Sequence, residues 1–205
     1  MATVEKIRYT PEQFLEREAQ TRDKHEFFRG EIFAMAGSSP ADARIAMNIL
    51  WRLAQQLEGK PCQPNSSDVM VKVAATGLMT YPDVSVVCPP IERAEGPIEV
   101  LLNPKILVEV LSPSTEKYDR GTKFSHYQKI PSLAEVLLVS QFEAAVDHYV
   151  RNSSGSWTFT RYEGLDAELA LPSIAARLKL HQVYDRVEFV PSSDQELPES
   201  DRGRI

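Results

Sequence analysis

The run Lys105-Ile106-Leu107-Val108-Glu109-Val110-Leu111 constrains this chain more than any other segment. Side chains alternate between the two faces of a strand, and here both faces are aliphatic, so both need cover. A strand inside a sheet, with a layer packed on either side, meets that demand. The same run carries one carboxylate, Glu109, where neither face should reach water. Such a group is costly unless it is paired or bound to a cation.

The neighbouring segments predict the covering layers. Ser112-Pro113-Ser114-Thr115 stops the run and offers N-cap groups for a helix over residues 117–129, which Pro131 ends. Residues 134–139 form the next strand. Strand, crossover helix and strand together predict a right-handed, parallel pairing. Upstream, residues 69–73 and 81–88 are β-branched runs joined across Gly77. Ser39-Pro40-Ala41-Asp42 opens a longer helix, with Ile45, Ile49, Leu53 and Leu57 on one face and Gly59 and Pro61 at its end. Thr10-Pro11-Glu12-Gln13 caps a short first helix that buries Phe14 and Leu15. Residues 26–33 read as two strands around Arg29-Gly30, and residues 144–150 and 157–162 as a closing hairpin. Leu178, Leu180, Val183 and Tyr184 supply further core. The expected architecture is one α/β domain over residues 1–190, a mixed β-sheet flanked by helices with additional N- and C-terminal hairpins. Residues 191–205 read as a disordered tail.

Composition narrows the function classes. No apolar run approaches the roughly 20 residues of a membrane span, and the N-terminus lacks a signal-peptide core, which predicts a cytoplasmic protein with no membrane partner. Lys and Arg number 23 against 29 Asp and Glu, a net charge of −6, so the chain is no globally basic nucleic-acid binder. A local basic patch or a bound cation could still bring it to DNA. Arg44, Arg52, Lys117, Arg120, Lys123 and Lys129 could form such a lip or simply be solvated helix faces. Cys62 and Cys88 predict neither a disulfide framework nor a metal knuckle. The chain has no phosphate loop, no dinucleotide-binding glycine motif and no nucleophile elbow. His25, His126, His148 and His181 do not sit at zinc-binding spacing.

Asp83 opens the run Val84-Ser85-Val86-Val87. Neighbouring strands lie about 4.8 Å apart, so Asp83 and Glu109 at matching heights could share a hard cation. Mg²⁺ is commonly held by one or two carboxylates, with waters and a substrate phosphate completing its shell. The plainer alternative pairs Glu109 with a buried arginine or lysine and makes Asp83 the cap of a turn after Pro82.

Several stretches resemble the Uma-two restriction-endonuclease family. They are His25-Glu26-Phe27-Phe28-Arg29-Gly30-Glu31-Ile32, Tyr81-Pro82-Asp83-Val84, the Glu109 strand with its Ser-Pro-Ser-Thr stop, Asp119-Arg120-Gly121-Thr122-Lys123, and residues 132–139. The resemblance spans about residues 8 to 190, in order. That family is grouped with the PD-(D/E)xK nucleases, which implies a restriction-endonuclease-like core. It also implies a metal-dependent DNA endonuclease in which Asp83 and Glu109 hold Mg²⁺ or Mn²⁺. The usual lysine, two residues past the glutamate, is here Leu111, so the resemblance moves that role to Lys123. Otherwise Lys123 is a solvated residue paired with Asp119. Glu26 would be a further ligand, or an exposed acid of the hairpin. Tyr127 could touch phosphate, although packing is the simpler reading.

Two other functions stay open at this stage. Leu111 and the negative charge motivate a catalytically inactive nuclease-fold module, with Glu109 charge-paired in the core and no divalent ion. A metal-dependent small phosphoesterase would share the ligands and exclude duplex DNA by a narrow pocket. Cutting both strands of a duplex is easiest for a two-fold homodimer.

Overall fold

In the computed structural model, residues 7–35 and 37–189 are described, so the predicted tail lies outside the described residues. The chain runs α1 (Pro11–Glu18), β1 (His25–Phe28), β2 (Glu31–Ala34), α2 (Pro40–Leu57), β3 (Gln63–Ser66), β4 (Met70–Val73), β5 (Leu78–Thr80), β6 (Val84–Val87), β7 (Arg93–Ala94), β8 (Val100–Leu101) and β9 (Pro104–Leu111). One helical segment follows in three pieces: α3 (Glu116–Tyr118), a π-helical turn (Asp119–Lys123) and α4 (Phe124–Tyr127). Then come β10 (Glu135–Ser140), β11 (Ala145–Arg151), β12 (Trp157–Glu163), β13 (Glu168–Leu171), β14 (Ala176–Lys179) and α5 (Leu180–Val183).

The α/β class is as the sequence predicts, with the strands divided between two six-stranded mixed sheets and a small third pair, β13 and β14. One large sheet has the order β12-β11-β10-β9-β6-β3, so β9 lies inside it, parallel to β10 and antiparallel to β6. The closing hairpin extends this sheet. The N-terminal hairpin belongs to the other, ordered β2-β1-β5-β4-β8-β7.

Both faces of β9 are covered, as its composition requires. On one, the α2 stripe Ile45, Ile49, Leu53 and Leu57 packs against Ile106, Val108 and Val110 with Val84 and Val86 of β6. Each such buried aliphatic side chain contributes about 1.5–3 kcal/mol. On the other, Leu107 and Leu111 meet Tyr127, Ile130 and Leu133, together with Val71, Val73 and Leu78 from the second sheet. The capping boxes hold both predicted helix starts: Thr10 with Gln13 on α1, and Ser39 with Asp42 on α2.

Three features differ from the sequence reading. The apolar run over 81–88 is not one strand: the chain leaves the first sheet after Thr80, and Val84 begins the second. Leu78–Thr80 instead closes a hairpin with β4 across Gly77, whose φ of +79° suits glycine. Gln63–Ser66 is a strand although its sequence is polar and contains proline, a composition tolerated because β3 lies at the sheet edge. Finally, Cys62 and Cys88 form a disulfide, against the expectation of none. The antiparallel register that sets Gln63 opposite Val87 brings the two flanking cysteines together, Cα atoms 4.1 Å apart. Among the described residues no helix is long and apolar enough to cross a membrane.

Candidate active site

Glu109 lies on the β9 face covered by residues 116–127 and is 4% exposed. Both of its oxygens are engaged: Oε2 accepts a hydrogen bond from Lys123 Nζ at 3.0 Å and Oε1 accepts one from the Tyr127 hydroxyl at 2.5 Å. Lys123 is equally buried, and its Nζ also lies 3.3 Å from Glu26 Oε1 and 3.6 Å from Asp119 Oδ1. Glu109 is thus charge-paired in the core, and Lys123 is no solvated helix residue. Burial alone would push the lysine towards neutrality, but Glu109, Tyr127, Glu26 and Asp119 override it and hold its pKa well above the usual value. Burial pushes the Glu109 pKa up, and the adjacent Lys123 ammonium opposes that rise. Tyr127 both packs and donates to Glu109, so the packing reading covers half of its role.

The π-helical turn places these groups. The Phe124 N–H reaches back five residues to the Asp119 carbonyl, one residue further than in an α-helix. Asp119, Lys123 and Tyr127, spaced by four, all end up buried against the sheet. Asp119 carries a pKa raised by burial, with Lys123 opposing.

Asp83 sits where the chain passes between sheets. The antiparallel register that pairs Val84 with Val108 brings Asp83 level with Glu109. Its Oδ2 accepts the Val110 N–H at 2.7 Å, so the side chain completes the ladder where β6 begins. Burial raises its pKa, and the Val110 N–H and Lys123 offset part of the rise.

Glu26, on β1, is no exposed hairpin acid. Its Oε1 accepts from Thr80 Oγ1 at 2.5 Å and its Oε2 from the Tyr118 hydroxyl at 3.1 Å. A further acid, Asp42, does more than cap its helix. Its Oδ2 does accept the Ser39 N–H, at 3.3 Å, but its Oδ1 is buried without a hydrogen-bond partner. Burial pushes Asp42 up to about 6, with the Ser39 N–H opposing and the charge of Asp83 adding to the rise.

The acids described above, with Lys123 and Tyr118, line one cavity of about 790 Å³. Five carboxylates (Glu26, Asp42, Asp83, Glu109 and Asp119) face a single ammonium, Lys123. His126 also lines it, and burial together with Arg29 lowers its pKa, so it adds no cation at neutral pH. Of the six basic residues that could have formed a lip, only Lys123 is in the lining. The donors around it are mostly carboxyl oxygens, which suit a hard cation. Among the described residues no three His, Cys, Asp or Glu side chains converge as a metal cluster, so a cation here would rely on two carboxylates at most, with waters or phosphate completing its shell. Asp119, read from the sequence only as a partner of Lys123, also lines the cavity, and Tyr118 and Asp42 are lining residues that sequence reasoning missed. The four-residue spacing of Asp119, Lys123 and Tyr127 was the available signal for Asp119.

A mixed sheet covered on both faces defines an α/β fold that is shared with a solved structure. The crystal structure of a putative nuclease belonging to DUF820 from Anabaena variabilis superposes with a TM-score of 0.66 over 83% of this chain and 96% of that one, at 18% identity, a likeness of fold. The Uma2 family model, described as "Putative restriction endonuclease", matches residues 11–181, and the chain belongs to that family. Two relatives from Synechocystis, the uncharacterized proteins slr1290 and sll1609, are 37% identical over 180 residues and 32% over 160. These alignments cover 88% and 78% of this chain and 93% and 90% of theirs.

Proposed function

We propose that this chain is a divalent-cation-dependent endonuclease that hydrolyses DNA phosphodiester bonds in this cavity. The observation that carries the proposal is the crowding of acids, five carboxyl groups beside one ammonium in a largely buried setting that raises the pKa of four of them. A cation would relieve it, and family membership supplies the reaction class. In this reading Asp83 and Glu109 hold Mg²⁺ or Mn²⁺, which supplies a polarised water and neutralises phosphate charge. Lys123 holds Glu109 in register and presents positive charge where the phosphoryl oxygens gain negative charge. Glu26 and Asp119 keep that lysine protonated, and Tyr127 fixes the second oxygen of Glu109. Leu111, at the customary lysine position of the PD-(D/E)xK pattern, is packed in the core, so the lysine comes from the following helix. Double-strand cleavage would call for two copies related by a two-fold axis.

The test is cleavage of plasmid and single-stranded DNA with Mg²⁺ or Mn²⁺, beside EDTA and a Glu109→Gln variant of verified fold. Metal-dependent nicking that disappears in both controls is expected; activity that survives Glu109→Gln would refute the site.

One observation favours a second reading. Because both Glu109 oxygens already accept protein donors, the fold could be a catalytically inactive binding module. That reading expects no heat of Mg²⁺ or Mn²⁺ binding by titration calorimetry.

A further inference from the structure

We infer that the cavity wall formed by β1 and β2 is a stacking site for an unpaired base, so that DNA enters as a single strand or a locally opened duplex. The inference rests on the nuclease reading and specifies its substrate. Strand register carries the first part of the argument. Glu26 pairs with Phe33 and Phe28 with Glu31, so Glu26, Phe28 and Phe33 share one face of the hairpin. All three line the cavity. The opposite face carries Phe27, stacked on Phe14 in the core. Phe33 is therefore not filling the interior; it is 46% exposed, on a strand at the edge of its sheet, directly across from an acid that binds Lys123.

Depth carries the second part. Glu109 and Lys123 are each 4% exposed, so a phosphodiester reaches them only if its strand enters the cavity. A space of about 790 Å³ is of small-molecule size, enough for a nucleotide and too small for a duplex.

Charge carries the third. The acidic interior repels a polyanion, so affinity must come from elsewhere, and stacking on an aromatic face is electrically neutral. Two cations sit over rings of the lining: the Arg29 guanidinium 5.0 Å from the Phe28 centroid and Lys24 Nζ 5.7 Å from that of Tyr81. Lys24 also bridges Asp68 at 2.8 Å. Rings interleaved with cations are what grip single strands without sequence preference.

The experiment measures fluorescence anisotropy of one labelled oligonucleotide, as a single strand and as a blunt duplex, with wild-type protein and Ca²⁺. The single strand is expected to bind at least about tenfold tighter, Phe33→Ala to weaken that binding about tenfold, and Phe33→Trp to restore it. Equal affinity for the two forms, or no effect of Phe33→Ala, overturns this inference alone. Binding of neither form overturns the nuclease reading and the inference with it.

Discussion

Lys123 Nζ and Glu109 Oε2 lie 3.0 Å apart with both side chains out of water, joining the helical segment after β9 to β9 itself. Removing one partner leaves the other uncompensated, which typically costs about 3–5 kcal/mol, whereas replacing both is far milder. Lys123→Met, which also strips the ammonium from Glu26 and Asp119, should therefore destabilise by about that amount, and adding Glu109→Gln should recover only the share owed to Glu109. Urea unfolding of wild type, the two single variants and the double variant measures the coupling.

Tyr127→Phe keeps the ring that packs against Leu107 and Leu111 and deletes only the donor to Glu109 Oε1. The orphaned oxygen should cost about 1–3 kcal/mol. Nuclease activity should fall as Glu109 loses its fixed orientation. A loss of activity with unchanged stability would contradict this account.

Asp42 has a folded-state pKa raised from 3.8 to about 6, first by burial and then by Asp83, so the folded state binds the extra proton over that interval. Stability contributed by the protonated form is present at low pH and is lost as pH rises through about 6. Asp42→Asn should consequently gain stability relative to wild type above pH 6 and lose that advantage below about pH 4. Melting temperatures of the two proteins across this range give the sign directly.

Mg²⁺ or Mn²⁺ should raise the melting temperature, because a cation bound to the folded state alone relieves the crowding of acids. At a free concentration one hundred times its dissociation constant the gain is about 2.7 kcal/mol, several degrees for a chain of this size. EDTA should reverse the shift, and Asp83→Asn should abolish it. A shift that persists in Asp83→Asn would place the ion elsewhere.

The elements fixed by local chemistry were legible in the sequence. The α2 stripe, the two capping boxes and the twice-covered β9 each follow from residue spacing, and Glu109 stood out because it interrupts an aliphatic strand. What escaped depends on tertiary register. Nothing local distinguishes Leu78–Thr80 from Val84–Val87 as members of different sheets, and the Cys62–Cys88 pairing needs the β3–β6 register that brings the two together. Asp42 was hidden by having a sufficient role already, since one carboxylate oxygen caps α2 while the other lacks a partner.

The passage of the chain at Pro82-Asp83 from one sheet to the other means that the two sides of the cavity are carried on separate slabs. Glu26 and Phe33 travel with the first, Glu109 with the second, and Lys123 with the helical segment packed on the second. The layer of Val71, Val73 and Leu78 against Leu107 and Leu111 sets the distance between those slabs. Substitutions in that layer, well away from any reacting atom, should therefore act as spacers: trimming Leu78 or Val73 would change the reach from Glu26 to Lys123 and alter turnover while leaving every polar side chain of the cavity in place.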